Sequence, residues 1–279
     1  VWMAGGFGKL LEDHGKFRTF GEFFPVFIPS LTAMIGFWAT LSLNMPDFTR
    51  FGKSQKEQTV GQVVALPTTM VIFAAMGIII TSAALVVFPN MDPKDSWDPV
   101  KLVGQFSQPL VVAISMFTIV IATLSVNIAA NVVSPANDFA NAFPKWISFR
   151  TGGLITGIIG ILMQPWKLLA DPSGYIFSWL LGYSGGLGSI AGVMIADYWF
   201  CRNKNLNLAD LYRTKGIYGG WNWRAVVATL LGCFFAWIGL LFEPLKILYD
   251  YAWFVGFGVS FAVHYVLMKV FPPKLDAKE

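Results

Sequence analysis

Seven stretches of this chain are apolar over a length that can cross a bilayer: residues 24–46, 60–88, 108–134, 151–165, 173–200, 223–243 and 249–271. A hydrocarbon core about 30 Å thick needs about 20 such residues per helix. Lipid offers no partner to backbone N–H and C=O groups, so segments of this kind pair their own as helices. The fold class is therefore all-α integral membrane. Composition agrees: 55% of the 279 residues are hydrophobic and 13% charged, against roughly 25% charged in a soluble domain. The fourth stretch is short and glycine-rich, with Gly152, Gly153, Gly157 and Gly160.

Charge sets an expected orientation. Of the 20 Lys and Arg residues, thirteen follow the first, third, fifth and seventh stretches and seven lie in the opposite loops. The positive-inside rule puts the richer set in the cytoplasm. The N-terminus is then outside, the C-terminus cytoplasmic, and the net charge of +4 belongs to membrane loops rather than to a nucleic-acid surface. Trp97, Trp166, Trp199 and Trp221 fall near expected span ends, where aromatic belts form. Residues 1–22 read as an outer loop without a signal-peptide pattern. A chain that starts at Val1 with an odd number of spans reads as a piece of something longer.

The first stretch contains Gly36-Phe37-Trp38-Ala39-Thr40-Leu41-Ser42-Leu43-Asn44. Small and polar residues gathered at membrane depth suggest an interrupted helix lining a cavity, and broken helices of this kind build substrate sites in transporters. Phe37 and Trp38 either stack on a planar ring or pack as ordinary aromatics. The third stretch ends in Asn127, Asn131 and Ser134, a polar stripe on an otherwise apolar helix. Carboxamides both donate and accept, which suits a neutral ligand with alternating N–H and C=O groups. The competing reading is helix packing through side-chain hydrogen bonds.

Other polar residues carry two readings each. Asp47 and Arg50, after Pro46, stand as a gate or as interfacial charges. Asp197, near the inner end of the fifth stretch, is a gating or proton-handling candidate. His264 in the last stretch relays protons or is structural. The run Gly182 to Ser189 reads as a hinge or a packing face. The sequence carries no Ser-His-Asp or Cys-His pattern and no phosphate loop. His14 and His264, with Cys201 and Cys233, make no metal-ligand spacing or disulfide framework. No catalytic residue, metal or cofactor is expected.

The runs Ile35 to Arg50 and Asn127 to Asp138, with Ala196-Asp197-Tyr198, resemble the nucleobase–cation symport-1 family, most of all its allantoin, hydantoin and uracil permeases. The resemblance implies a leucine-transporter-like fold of inverted repeats with two added helices. It places family spans six to twelve here: an outer loop at 1–22, the second repeat at 23–200, a cytoplasmic loop at 201–222, two accessory spans within 223–271 and a cytoplasmic tail at 272–279. The first, N-terminal transmembrane repeat would be missing.

The resemblance also assigns roles. Trp38 matches the aromatic that stacks on substrate, and Phe37 and Gly36 line the same break. Asn131 and Asn127 match hydrogen-bonding positions. Ala122 and Ser125 match cation-binding positions, while Val126 stands where sodium-coupled members carry a hydroxyl, which leaves H⁺ or Na⁺ as the coupling ion. The implied activity is uptake of a nucleobase-like small molecule across the plasma membrane, by cation symport. The rivals from other classes are a seven-helix receptor and a non-transporting membrane subunit.

Overall fold

The computed structural model describes residues 1–8, 17–171, 174–211, 213 and 216–273. His14, within 9–16, and the tail 274–279 lie outside the described residues, as does part of the expected 201–222 loop. Among the described residues all regular structure is helical.

The long helices are α1 (Phe20–Leu43), α2 (Gln55–Val87) and α3 (Pro109–Asn127). A π-helical turn, Ile128–Val132, carries α3 into α4 (Val133–Ala142), and α5 is Phe149–Leu162. Then follow α6 (Leu181–Ile195), α7 (Trp223–Trp237) and α8 (Ala252–Val270). Helix α6 is flanked by π-helical Tyr175–Leu180 and Ala196–Cys201.

Six of these segments are long and apolar enough to cross a membrane: Phe20–Leu43, Gln55–Val87, Pro109–Ala142, Ser178–Cys201, Trp223–Leu240 and Ala252–Val270. The expected fourth span is the exception. Helix α5 has 14 residues, which at 1.5 Å each make about 21 Å, short of the ~30 Å core. It stops where Gln164 adopts φ 52° and Pro165 opens a separate short helix, Pro165–Leu169.

The chain forms two compact units: Val1–Lys16 with Met45–Leu162, and Phe17–Asn44 with Met163–Glu279. In the first unit α4 packs on α5 at a glycine: a Cβ on Gly152 would lie 2.8 Å from the Ala136 carbonyl oxygen. The π-helical turn before α4 has a local cause. Pro135 has no N–H to offer the Asn131 carbonyl and its ring crowds that carbonyl, so the ladder opens just upstream.

In the second unit α6 is the central helix. Half of it is buried (56% of its apolar window), whereas none of the Pro109–Ala142 window is. Its glycines are the reason. A Cβ on Gly188 would lie 2.5 Å from the Trp253 carbonyl oxygen, and one on Gly256 would lie 2.5 Å from the Gly185 carbonyl oxygen. Helices α6 and α8 therefore touch backbone to backbone, as small residues allow in membranes. Gly185 meets Ala252 and Asp197 meets His264, so the two helices run parallel. Helix α7 runs against both: Trp237 Nε1 donates to the Gly182 carbonyl at 2.7 Å, and Arg224 bonds the Phe271 carbonyl at 2.5 Å. The glycine run from Gly182 is thus a packing face.

Helix α1 corrects a second expectation. It continues unbroken from Phe20 to Leu43 and ends with the Asn44 N–H donating to the Thr40 carbonyl at 3.1 Å. The polar groups that suggested a break are absorbed within the helix or at its packing face. Ser42 Oγ donates to the Ala39 carbonyl at 2.6 Å, and Thr40 Oγ1 pairs with Tyr183 Oη.

Candidate functional site

The two faces of α1 do different things. Gly36 is buried, and a Cβ there would come within 2.7 Å of both the Leu180 carbonyl oxygen and Ser184 Cβ. One turn on, Thr40 Oγ1 and Tyr183 Oη share a hydrogen bond of 2.8 Å. Those contacts seat α1 against the 175–195 segment. Phe37 and Trp38 point the other way and stay 51% and 38% exposed. Their rings meet edge to face, with centroids 5.3 Å apart. Gly36, expected as a lining residue, lies in the close contact between α1 and the 175–195 segment.

In the other unit, Asn127 stands just before the π-helical turn and Asn131 lies within it. Asn131 Nδ2 donates to Asn127 Oδ1 at 2.7 Å, and both residues are exposed. The pairing uses one donor and one acceptor. It leaves a carboxamide oxygen on Asn131 and an NH₂ on Asn127, and exchange of O and N within both amides still leaves one acceptor and one donor group, with the residues swapped. An acceptor and a donor match the N–H and C=O pair of a cyclic amide or ureide. π-Helical turns of this kind recur at functional sites.

The two expected cation positions are also neighbours. Ser125 Oγ lies 3.1 Å from the Ala122 carbonyl oxygen and 2.9 Å from that of Ile121, donating to both. Val126 exposes 65% of its surface and offers no oxygen from its side chain.

Asp47 and Arg50 do not pair. Asp47 Oδ1 accepts from Asn137 Nδ2 at 3.0 Å, tying the one-turn helix Pro46–Thr49 to α4. The Arg50 guanidinium sits 5.0 Å over the Phe51 ring. Asn137 is a partner that sequence reasoning missed, although it lies in the same polar run as Asn131.

Asp197 has acquired two partners. Its Oδ1 is 3.2 Å from His264 Nε2, and its Oδ2 accepts from Arg202 Nε. Arg202 is within reach because the backbone here closes the wider i to i+5 turn: its N–H donates to the Asp197 carbonyl at 2.9 Å. The His264 side chain is fully buried, and its Nδ1 has no partner among the described residues. The Cys201 thiol completes a cluster in which one ligand atom each from Asp197, Cys201 and His264 lies within 4.8 Å of the others. The guanidinium already on the carboxylate makes this an ion-pair network tying α8 to the end of the Ser178–Cys201 span. Asp197→Ala is expected to lower stability by about 2 kcal/mol, less than the 3–5 of a fully buried pair because the side chain is 23% exposed. Thermal unfolding in detergent checks this, with Asp197→Asn falling between the two.

Comparison with known proteins places these residues in a family context. A profile described as "Permease for cytosine/purines, uracil, thiamine, allantoin" matches residues 1–256. The chain is 46% identical over 281 residues to the allantoin permease of Bacillus subtilis (strain 168), covering 98% of this chain and 56% of that protein. It is 39% identical to a purine-uracil permease of Arabidopsis thaliana, covering 95% and 46%. It is 31% identical to the uracil permease of Saccharomyces cerevisiae, covering 94% and 44%. The chain spans about half the length of these relatives. No solved structure matches it.

Proposed function

Because the chain belongs to the permease family for cytosine/purines, uracil, thiamine and allantoin, an integral membrane family of transporters rather than enzymes, we propose that its protein takes up a nucleobase or related heterocycle. The candidates are allantoin, hydantoin, uracil, cytosine or a purine, carried inward across the plasma membrane with H⁺ or Na⁺. The observation that carries this reading is the unspent acceptor and donor of the Asn127–Asn131 pair. Amide groups on a membrane helix need polar partners, and a polar ligand supplies them.

The roles follow residue by residue. Trp38 offers a ring face for stacking, Phe37 pairs with it in a T-shaped contact, and Gly36 sets the seat of their helix. Asn131 and Asn127 read the polar edge of the substrate. The Ala122 carbonyl and Ser125 hydroxyl form half of a cation site. The missing hydroxyl at Val126 favours protons or weakly held sodium, since a hard cation wants several oxygens. Asp47, Arg50 and Asp197 act in gating. The fold is read as leucine-transporter-like, with a five-helix repeat at 23–200 and two accessory helices within 223–271, working by alternating access. The N-terminus is assigned outside and the C-terminus to the cytoplasm.

Asn131 supplies the test. One neutral hydrogen bond contributes about 0.5–1.5 kcal/mol, so Asn131→Ala should raise the KM for substrate roughly three- to tenfold with the protein still in the membrane at normal amounts. An unchanged KM removes Asn131 from the substrate site.

A further inference from the structure

Beyond the two helix ends at Cys201 and Val270 lies a cavity of about 820 Å³. Because α6 and α8 run parallel, these ends lie together, and the cavity sits at the same end of two helices long and apolar enough to cross a membrane. Arg202, Lys204 and Lys269 line it, and no acidic residue does among the described residues. Its floor is apolar, built from Phe200 and Met268.

The cations are held in an unusual way. Lys204 Nζ sits 4.2 Å over the Trp199 ring and Lys269 Nζ 4.5 Å over the Tyr265 ring. The Arg202 guanidinium lies 4.7 Å over Tyr218 while bonding Asp197. Among the described residues neither lysine is in an ion pair. An aromatic face orients an ammonium without neutralising it, so two full positive charges stay at the cavity. The chain is bent to put one of them there: Asn203 and Lys204 adopt φ 49° and 65°, and a lysine in that region costs about 1 kcal/mol. A soluble loop has no need to hold bare cations on ring faces above an apolar floor.

We propose that this cavity binds the phosphodiester headgroup of an anionic phospholipid, with Lys204 and Lys269 contacting the phosphate and the floor meeting the glycerol and upper acyl carbons. Basic pockets between membrane helices bind acidic lipid headgroups on the same physical grounds, and the volume is that of a small-molecule site. The proposal requires only that the chain spans a membrane. It is independent of which substrate, if any, the protein carries.

The test is native mass spectrometry of the purified, delipidated protein with phosphatidylglycerol or phosphatidylcholine added back. A lysine near a membrane surface is worth about fivefold in binding anionic lipid. Wild type should therefore prefer phosphatidylglycerol, Lys204→Gln and Lys269→Gln should each lose about fivefold, and the double variant about twenty-five-fold. Unfolding temperatures without lipid should match, since both side chains are exposed. Equal binding of the two lipids by wild type would overturn the proposal, as would phosphatidylglycerol binding unchanged in the double variant. A rise in unfolding temperature with inorganic phosphate alone as large as that with phosphatidylglycerol would reassign the cavity to soluble phosphate anions and also overturn it.

Discussion

Trp38→Ala should weaken substrate binding between five- and about 150-fold, the largest functional loss expected at any single side chain here. Stacking of a flat heterocycle on an aromatic side chain is worth about 1–3 kcal/mol by alanine substitution, and tenfold in affinity corresponds to about 1.4 kcal/mol. The ring is 38% exposed and alanine is the best helix former, so the variant should fold and reach the membrane. The loss should then appear in KM or in direct binding rather than in protein level. Trp38→Phe should recover part of it. Phe37→Ala should cost less, because that ring pairs with Trp38 in a T-shaped contact and is not assigned to stack on the substrate. Equal losses at both positions would point to general repacking of α1 instead.

Gly256→Val is the matching prediction for the fold. A Cβ at Gly256 would stand 2.5 Å from the Gly185 carbonyl oxygen and 2.7 Å from Ser189 Oγ, closer than real contacts. The obstacle on one side is backbone, which no rotamer change can move. Gly232 of α7 approaches the Gly256 carbonyl at a Cβ distance of 2.8 Å, so separating α6 from α8 also disturbs α7. Overpacking of this kind costs about 3 kcal/mol or more and should show as a clear drop in unfolding temperature and yield. Gly258 is two residues away on the open side of the helix, where a Cβ would meet nothing within 4 Å. Gly258→Val should leave stability nearly unchanged, and the contrast between the two isolates the interface from helix propensity.

These two positions also show how far the sequence could be read. The six helices long and apolar enough to cross a membrane, among the described residues, were visible because hydropathy over about 20 residues leaves a lipid-facing chain little alternative. The short α5 was not, since an apolar glycine-rich stretch looks alike whether it spans or stops, and only Gln164 before Pro165 marked its end. The run from Gly36 to Asn44 suggests a break in the sequence, yet the helix continues through it to Leu43. Small residues that would line a break are the same residues that let helices touch, and here Gly36 and Thr40 are spent on contacts with Ser184 and Tyr183.

The spacing of Asn127 and Asn131 was enough to join them, because residues four apart stay adjacent in an α- or a π-turn. The widened turn itself had one sign in the sequence, Pro135. The network at Asp197 was beyond reach: His264 is 67 residues away, and Arg202 bonds it only because the backbone closes at i+5. Pairings set by packing across helices leave no trace in local periodicity.

The central claim, that this protein carries a nucleobase-like substrate and that Trp38 and the Asn127–Asn131 pair each serve that transport, is tested most directly by uptake. The full-length protein is expressed in cells lacking their own nucleobase and allantoin permeases and offered labelled allantoin, hydantoin, uracil, cytosine and hypoxanthine. The account predicts that at least one accumulates above the empty-vector level and that Trp38→Ala and Asn131→Ala each reduce its uptake. Accumulation of none of the five by protein shown to be folded and in the membrane would contradict it, as would uptake indifferent to both substitutions.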